Sequence, residues 1–256
     1  MAWDRVINIK NAEEIAIMRE AGRINAKAIT AAVAIIRPGV TTSDLNAAAE
    51  EVLKQYGCYS PFKDYPGPYP YPASICTSIN EELVHGIPGK RKLQEGDIIS
   101  IDCGTVFQGF VGDSAVTVCV GEASPLAKRL LEVTEGALQV GISKMVVGNK
   151  IGDVSSAIQQ YVENTGFYVT RVYTGHGVGR HMHEGPQLPN YGVAGRGIPL
   201  KAGMTIALEP MVLVGTPETK VRPDEWTVVS VDNSLTAHFE HTVAVTNNEP
   251  LVLTAL

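Results

Sequence analysis

The sequence predicts one large domain of mixed class, α/β or α+β, built of two similar halves in which a helix pair feeds strands. Three observations predict it: two helix-pair patterns offset by 109 residues, strand-like runs between and after them, and no linker or composition break along 256 residues. That length exceeds an average domain but stays within the range of a single one, and it allows a core that needs no staple.

The first helix pattern opens at Asn11, with Glu14 three residues on, an Asn version of the capping box. Ile15, Ile17, Met18, Ala21, Ile24 and Ala28 fall at helical spacing, and Pro38-Gly39 ends the run after Arg37. Thr42 is the expected cap of a second helix from Ser43 to Tyr56, closed by Gly57. Ser124-Pro125 places a cap and a first-turn proline before a third helix reaching Val140 or beyond. A fourth follows Gly152-Asp153 and ends near Gly166. Shifting by 109 residues lays Gly39, Asp44, Leu45, Ala48, Leu53 and Gly57 on Gly148, Asp153, Val154, Ala157, Val162 and Gly166, the signature of a duplicated unit. Strands are expected at 73–79, 97–107, 110–120, 168–173, 204–214, 225–230 and 239–246, where residues alternate or are β-branched. The Pro- and Tyr-rich stretch SPFKDYPGPYPY, Ser60 to Tyr71, is expected as an irregular loop.

Composition excludes several classes. A net charge of −6 and 19% charged residues give no dense Lys/Arg footprint for nucleic acid. Cys58, Cys76, Cys103 and Cys119 form no CxxC pair, so a reducing compartment is expected. MAWDRVINIK has no apolar core of a secretory signal, and the longest apolar run is far short of the ~20 residues of a membrane span. A cytoplasmic protein that does not enter the membrane is therefore expected.

The sharpest chemical signal is GDIISIDCGTVFQGFVGDSAVTV, Gly96 to Val118. A tight turn at Gln108-Gly109 pairs Phe107 with Phe110, which sets Asp113 opposite Gly104 and Asp102 opposite Ala115. Strand side chains alternate, so Asp102 and Asp113 share a face as diagonal neighbours about 7 Å apart or less. Two carboxylates inside so apolar a hairpin repel each other and lose solvation, and a cation between them removes that cost. Three of the six histidines, His176, His181 and His183, fall in the Gly-rich TGHGVGRHMHEGPQ, expected as a loop. Glu209 in ALEPM stands at a strand end limited by Pro210, and Glu240 in HFEHT lies in a strand-like run. No HExxH helix, GxSxG elbow, Walker loop or strand-borne GxGxxG is present.

Taken together, SINEELVHGIP (Ser78–Pro88), the two-aspartate hairpin, GHGVGRHMHEGPQ, LEPM and HFEHT resemble, in this order, the methionine aminopeptidases of the pita-bread fold, most closely the compact type I enzymes. The resemblance spans nearly the whole chain. It implies an α+β fold with a curved antiparallel sheet and two pseudo-symmetric halves covered by helices, and one catalytic domain over residues 1–256. It also implies removal of the initiator methionine from nascent chains whose second residue is small. By resemblance the metal ligands are Asp102, Asp113, His176, Glu209 and Glu240, holding two divalent ions, with Asp113 and Glu240 as bridges. Four carboxylates and one imidazole suit Mn, Fe, Co, Ni or Zn. Such ions activate water and polarise a carbonyl, as amide hydrolysis requires. Glu209 is then the proton shuttle, His183 binds the scissile amide, and His85 assists from the other side of the substrate. Tyr71, Cys76, Met182 and Trp226 line the methionine pocket. Met182 departs from the aromatic often found there, and its flexibility loosens the pocket. The loop Ser60–Tyr71 is longer than in compact bacterial relatives, and Gly104 replaces a common threonine near the metals. Expected partners are methionine-initiated N-termini and, transiently, the ribosome, and a monomer is the default.

Two other classes share this fold. Xaa-Pro aminopeptidases and dipeptidases share the ligands but usually carry an extra N-terminal domain, whereas about ten residues precede the first helix here. A non-catalytic binder of the same fold is disfavoured because all five ligands and both histidines are present.

Overall fold

A computed structural model describes residues 6–256; the N-terminal segment considered above for a secretory signal lies partly outside them, at residues 1–5. The elements follow in chain order: α1 (Ala12–Ala34), α2 (Thr42–Gln55), β1 (Ile75–Ile79), β2 (Glu82–Val84), β3 (Ile98–Phe107) and β4 (Phe110–Cys119) come first. Then come α3 (Pro125–Ser143), α4 (Ile151–Glu163), β5 (Tyr168–Val169), β6 (Thr174–Gly177), β7 (Glu184–Pro189) and β8 (Thr205–Leu208). The rest are β9 (Met211–Leu213), β10 (Thr219–Val221), β11 (Val228–Ser230), β12 (Thr236–His238), β13 (Glu240–Ala244) and β14 (Leu251–Val252). The main sheet is antiparallel throughout, in the order β1-β3-β4-β13-β8-β6-β7 with β14 on β13. This is the α+β pita-bread fold.

Capping chemistry sets the helix starts. Asn11 accepts from the Glu14 N–H while Glu14 accepts from the Asn11 N–H, the reciprocal box expected from the sequence. The second cap is Thr41 rather than Thr42, because Asp44 must lie three residues on to accept its N–H. Lys150, 109 residues later, is the cap of α4, and Asp153 accepts its N–H in the same way. Gly39 and Gly57 have φ of 92° and 65°, and their counterparts Gly148 and Gly166 have 101° and 88°. Both halves thus use the same capping acid and the same left-handed positions, so the offset predicted from sequence is a structural repeat.

The helices cover one face of the sheet. Ile24, Ala28, Leu45 and Leu53 of α1 and α2 pack on Ile99, Ile101 and Cys103 of β3. In the second half, Leu130, Ala137, Val154 and Ile158 of α3 and α4 pack on Ile206, Leu208 and Val243. These strand positions alternate with the site residues, so period-2 geometry turns every predicted ligand to the opposite face.

Several predicted strands are shorter or divided. The expected run 204–214 breaks at Glu209-Pro210 into β8 and β9, since proline cannot donate to the ladder. The run 239–246 begins earlier and divides at Phe239 into β12 and β13, and 168–173 keeps strand geometry only at its first two residues.

Candidate metal centre

Register builds the site. Cys76 pairs with Asp102, Asp102 with Ala115, and Ala115 with Glu240, one row across four strands. The next row on that face holds Gly104 opposite Asp113, and Ala207 of β8 between Thr242 and His176. Glu209 stands two residues beyond Ala207, hence on the same face. Ala115, Gly104 and Ala207 are small, which leaves room above the sheet for the longer acids. The segment around His176, expected as a loop, contains β6 and β7, so this imidazole is held by a strand instead. Glycine-rich composition hid that strand.

The five side chains converge. His176 Nε2 lies 3.6 Å from Asp113 Oδ2 and 3.6 Å from Glu209 Oε1. Ligand atoms of Asp113, His176 and Glu240 lie within 4.8 Å of one another. Asp113 and Glu240 are almost fully buried, and Asp102 and Glu209 sit at the wall of the cavity. Burial, and then the neighbouring Asp113 charge, raises the carboxyls of Asp102, Glu209 and Glu240 well above the ordinary carboxylate range. Burial pushes Asp113 up to about 7. Asp102 Oδ1, Asp113 Oδ1 and Glu240 Oε1 are buried without a hydrogen-bond partner. Orphaned carboxylate oxygens in an apolar wall are costly unless something positive binds them, so the donor set fits divalent cations.

Above the acids lies a cavity of about 810 Å3. Tyr71, Cys76, Met182, Trp226, His85 and His183 all line it, together with the five candidate ligands. Tyr71 is buried, and its hydroxyl donates to the carbonyls of Ile75 and Gly86, while its ring meets Trp226 edge-on at 5.2 Å. His85 takes a left-handed backbone, φ 60°, uncommon for a residue with a Cβ and often found at functional sites. Its ring stands edge-on to Trp226 at 6.4 Å and to Tyr173 at 5.9 Å. The His183 ring lies 4.4 Å from that of His176. Burial pushes His85 and His176 down to about 4, and burial followed by the facing His176 and His85 pushes His183 down to about 2, so all three are neutral imidazoles.

Sequence reasoning missed three contributors. Tyr65, in the loop Ser60–Tyr71, shares a 2.7 Å hydrogen bond with His183 Nδ1. Phe62, from the same loop, lines the cavity. A Cβ on Gly104 would stand 2.8 Å from Pro61 and 2.9 Å from Phe62, so the missing side chain there makes room for the loop. His238 also lines the cavity beside Glu209 and Glu240. Its only signal was its place in HFEHT, two residues before a predicted ligand.

Buried carboxylates and an imidazole on one face of a curved antiparallel sheet define a metal-dependent hydrolase. Residues 16–247 match metallopeptidase family M24. The chain is 50% identical to a methionine aminopeptidase of Clostridium acetobutylicum, over 97% of this chain and 99% of that protein. It is 49% identical to methionine aminopeptidase 1 of Bacillus subtilis, over 97% and 99%. The crystal structure of methionine aminopeptidase from Thermotoga maritima superposes with a TM-score of 0.95 at 46% identity, covering 98% of this chain and all of that one. A prolidase from Pyrococcus furiosus shares the fold at TM-score 0.78 and 23% identity, over 97% of this chain and 65% of its own. The chain belongs to metallopeptidase family M24 and, within it, to the methionine aminopeptidases.

Proposed function

We propose that this protein removes N-terminal methionine from peptides and nascent proteins, with two divalent ions held by Asp102, Asp113, His176, Glu209 and Glu240. The observation that carries this is the placement of all five side chains on one sheet face at the floor of a cavity walled by Tyr71, Cys76, Met182 and Trp226. Asp113 and Glu240, the most deeply buried of the four acids, would hold the ions together with the other three residues. When bound, the ions supply a water nucleophile at neutral pH and Lewis-acid polarisation of the scissile carbonyl.

The chain's own groups do the rest. The methionine side chain enters the apolar wall, where Met182 and Cys76 present polarisable sulfur and Trp226 and Tyr71 present rings. Tyr65 lies 2.7 Å from His183 Nδ1, and in the tautomer in which its hydroxyl donates there the ring proton is on Nε2, free to donate to the scissile amide and to the oxygen of the tetrahedral intermediate. A neutral His183 serves as a fixed donor rather than an acid. Glu209, at the cavity wall beside His176 and His238, takes the proton of the attacking water and passes it to the leaving amine. His85, flanked edge-on by Trp226 and Tyr173, assists proton transfer or positions the substrate from the other side.

The preference for a small second residue, transient ribosome contact, a monomeric state, cytoplasmic location and the choice among Co, Mn, Fe, Ni and Zn belong to this proposal. No helix of the described residues is long and apolar enough to cross a membrane. The test is hydrolysis of Met-Ala-Ser, Leu-Ala-Ser and Ala-Pro-Ser by metal-stripped protein with Mn or Co restored. Metal-dependent release of methionine alone supports the proposal, and preference for the proline peptide moves the chain to the Xaa-Pro enzymes.

A further inference from the structure

One more imidazole faces the carboxylate cluster. His238 ends β12, two residues before Glu240, and is 2% exposed. Its Nε2 is 3.6 Å from Glu240 Oε2 and 3.7 Å from Glu209 Oε2, and it has no hydrogen-bond partner. Both separations are too long for a hydrogen bond. They match those of His176, at 3.6 Å from Asp113 and 3.6 Å from Glu209, on another side of the same cluster. Two ligand atoms each about 2.1 Å from one cation stand about 3.0–3.4 Å apart, so both rings need only a small closure onto an ion. Ligand atoms of Asp102, His238 and Glu240 lie within 4.8 Å of one another, as do those of Asp113, His176 and Glu240. The cluster thus divides into two carboxylate–imidazole groups that share Glu240.

The backbone under His238 is fixed. Its N–H donates to Thr117 Oγ1 at 2.9 Å, and that hydroxyl donates to its carbonyl at 2.7 Å. Ser100 Oγ, 2.8 Å away, completes the chain of hydroxyls across β3 and β4. A fully buried donor with its backbone clamped and its ring nitrogen aimed at two acids is a prepared ligand rather than a side chain filling space.

We propose that His238 is a sixth protein ligand, its Nε2 joining Asp102 and Glu240 at one metal position while His176 serves the other. This rests on the dinuclear reading above. Each position then holds an imidazole, a donor set favouring Fe, Co, Ni or Zn over Mn or Mg, which all-oxygen sets suit.

The test uses the full chain stripped of metal and reloaded with cobalt, with X-ray absorption at the cobalt edge and calorimetric titration. Two bound cobalt ions carrying about one imidazole each are expected, with half that count in His238→Gln and in His176→Gln. Cobalt affinity at one of the two sites should fall at least about tenfold in His238→Gln, and manganese affinity less. One imidazole shared by two ions in the unaltered protein, or an unchanged count in His238→Gln, overturns the assignment; the wild-type count decides it even where a variant fails to fold. A titration showing a single ion per chain overturns the dinuclear reading separately. In that case two imidazoles on the one ion uphold His238 as a ligand, and one imidazole removes it.

Discussion

At the scale of the residue, Asp113 is the most constrained acid of the cluster. It faces His176, its Oδ1 is orphaned, and its backbone N–H is fixed by Thr242 Oγ1 at 3.0 Å. Asp113→Ala should lower methionine release by about 1000-fold or more and reduce bound metal, read by titration of the stripped protein; full activity would remove the bridging role. His183 stands beside His176 yet is hydrogen-bonded to Tyr65. His183→Ala should therefore keep metal stoichiometry while kcat falls about 100-fold. Loss of metal in that variant would make His183 a ligand instead. Asp102 and Asp113 were legible because a two-residue turn and a period of two fix their diagonal on a single hairpin. Tyr65 was not, because His183 arrives from a loop far along the chain, and His238 was not, because besides the nearby Glu240 it faces Glu209 from beyond another strand, and no local pattern encodes either meeting.

At the scale of the element, the loop Ser60–Tyr71 brings Phe62, Tyr65 and Tyr71 to the wall of the cavity proposed to take methionine. Backbone hydrogen bonds tie Asp64 and Tyr65 to Tyr71, Tyr69 donates to the Asp224 carbonyl, and Ser60 donates to the Ser74 carbonyl. Its leading turn rests on Gly104, where a Cβ would press on Pro61 and Phe62. Gly104→Thr should displace that turn, raise KM for methionine peptides by about tenfold and leave metal affinity close to unchanged, because the small residue serves the loop and not the ions. A Michaelis series on Met-Ala-Ser beside a metal titration separates the two effects; a metal defect with normal KM would return Gly104 to the ion site. The helices were legible nearly to the residue, since capping boxes are local sequence facts. The short strands β2, β6, β7 and β10 were not. They are three to six residues long, with Gly or Pro inside β6 and β7, and they exist because neighbouring strands supply the ladder.

At the scale of the whole molecule, the centre works against the stability of the metal-free fold, and this makes a pH signature. Asp102, Glu209 and Glu240 have folded-state pKa values well above the ordinary range, and Asp113 sits at about 7 against a usual 3.8. Between about pH 4 and 7 the folded centre therefore keeps carboxyl protons that the unfolded chain has lost, which costs stability as pH rises, whereas burial lowers His85, His176, His183 and His238 and costs stability as pH falls below 6.5. Elsewhere the fold shows the reverse. Glu184 is raised by burial, but the hydrogen bond from Lys10 Nζ at 2.6 Å and further donors outweigh this and leave it below its usual value. Its contribution is complete above its unfolded pKa and is lost as pH falls through the folded one. That pair joins the N-terminal segment to the loop carrying Met182 and His183, since Glu184 also accepts from the N–H groups of Arg180 and His181. Lys10→Met should cost about 3–5 kcal/mol by stranding a buried carboxylate, measured by denaturant unfolding. The metal-free protein should then melt highest between about pH 6 and 7, where the histidines are neutral in both states, with its midpoint falling towards pH 8 and on acidification. Metal binding removes the first arm, because cations need the carboxylates ionised and bind the folded state alone. Thermal scans from pH 4 to 8, with and without restored metal, test this directly. A midpoint that rises between pH 7 and 8 in the stripped protein would mean that its acids are solvated, and that the cluster is open to water rather than held poised for ions.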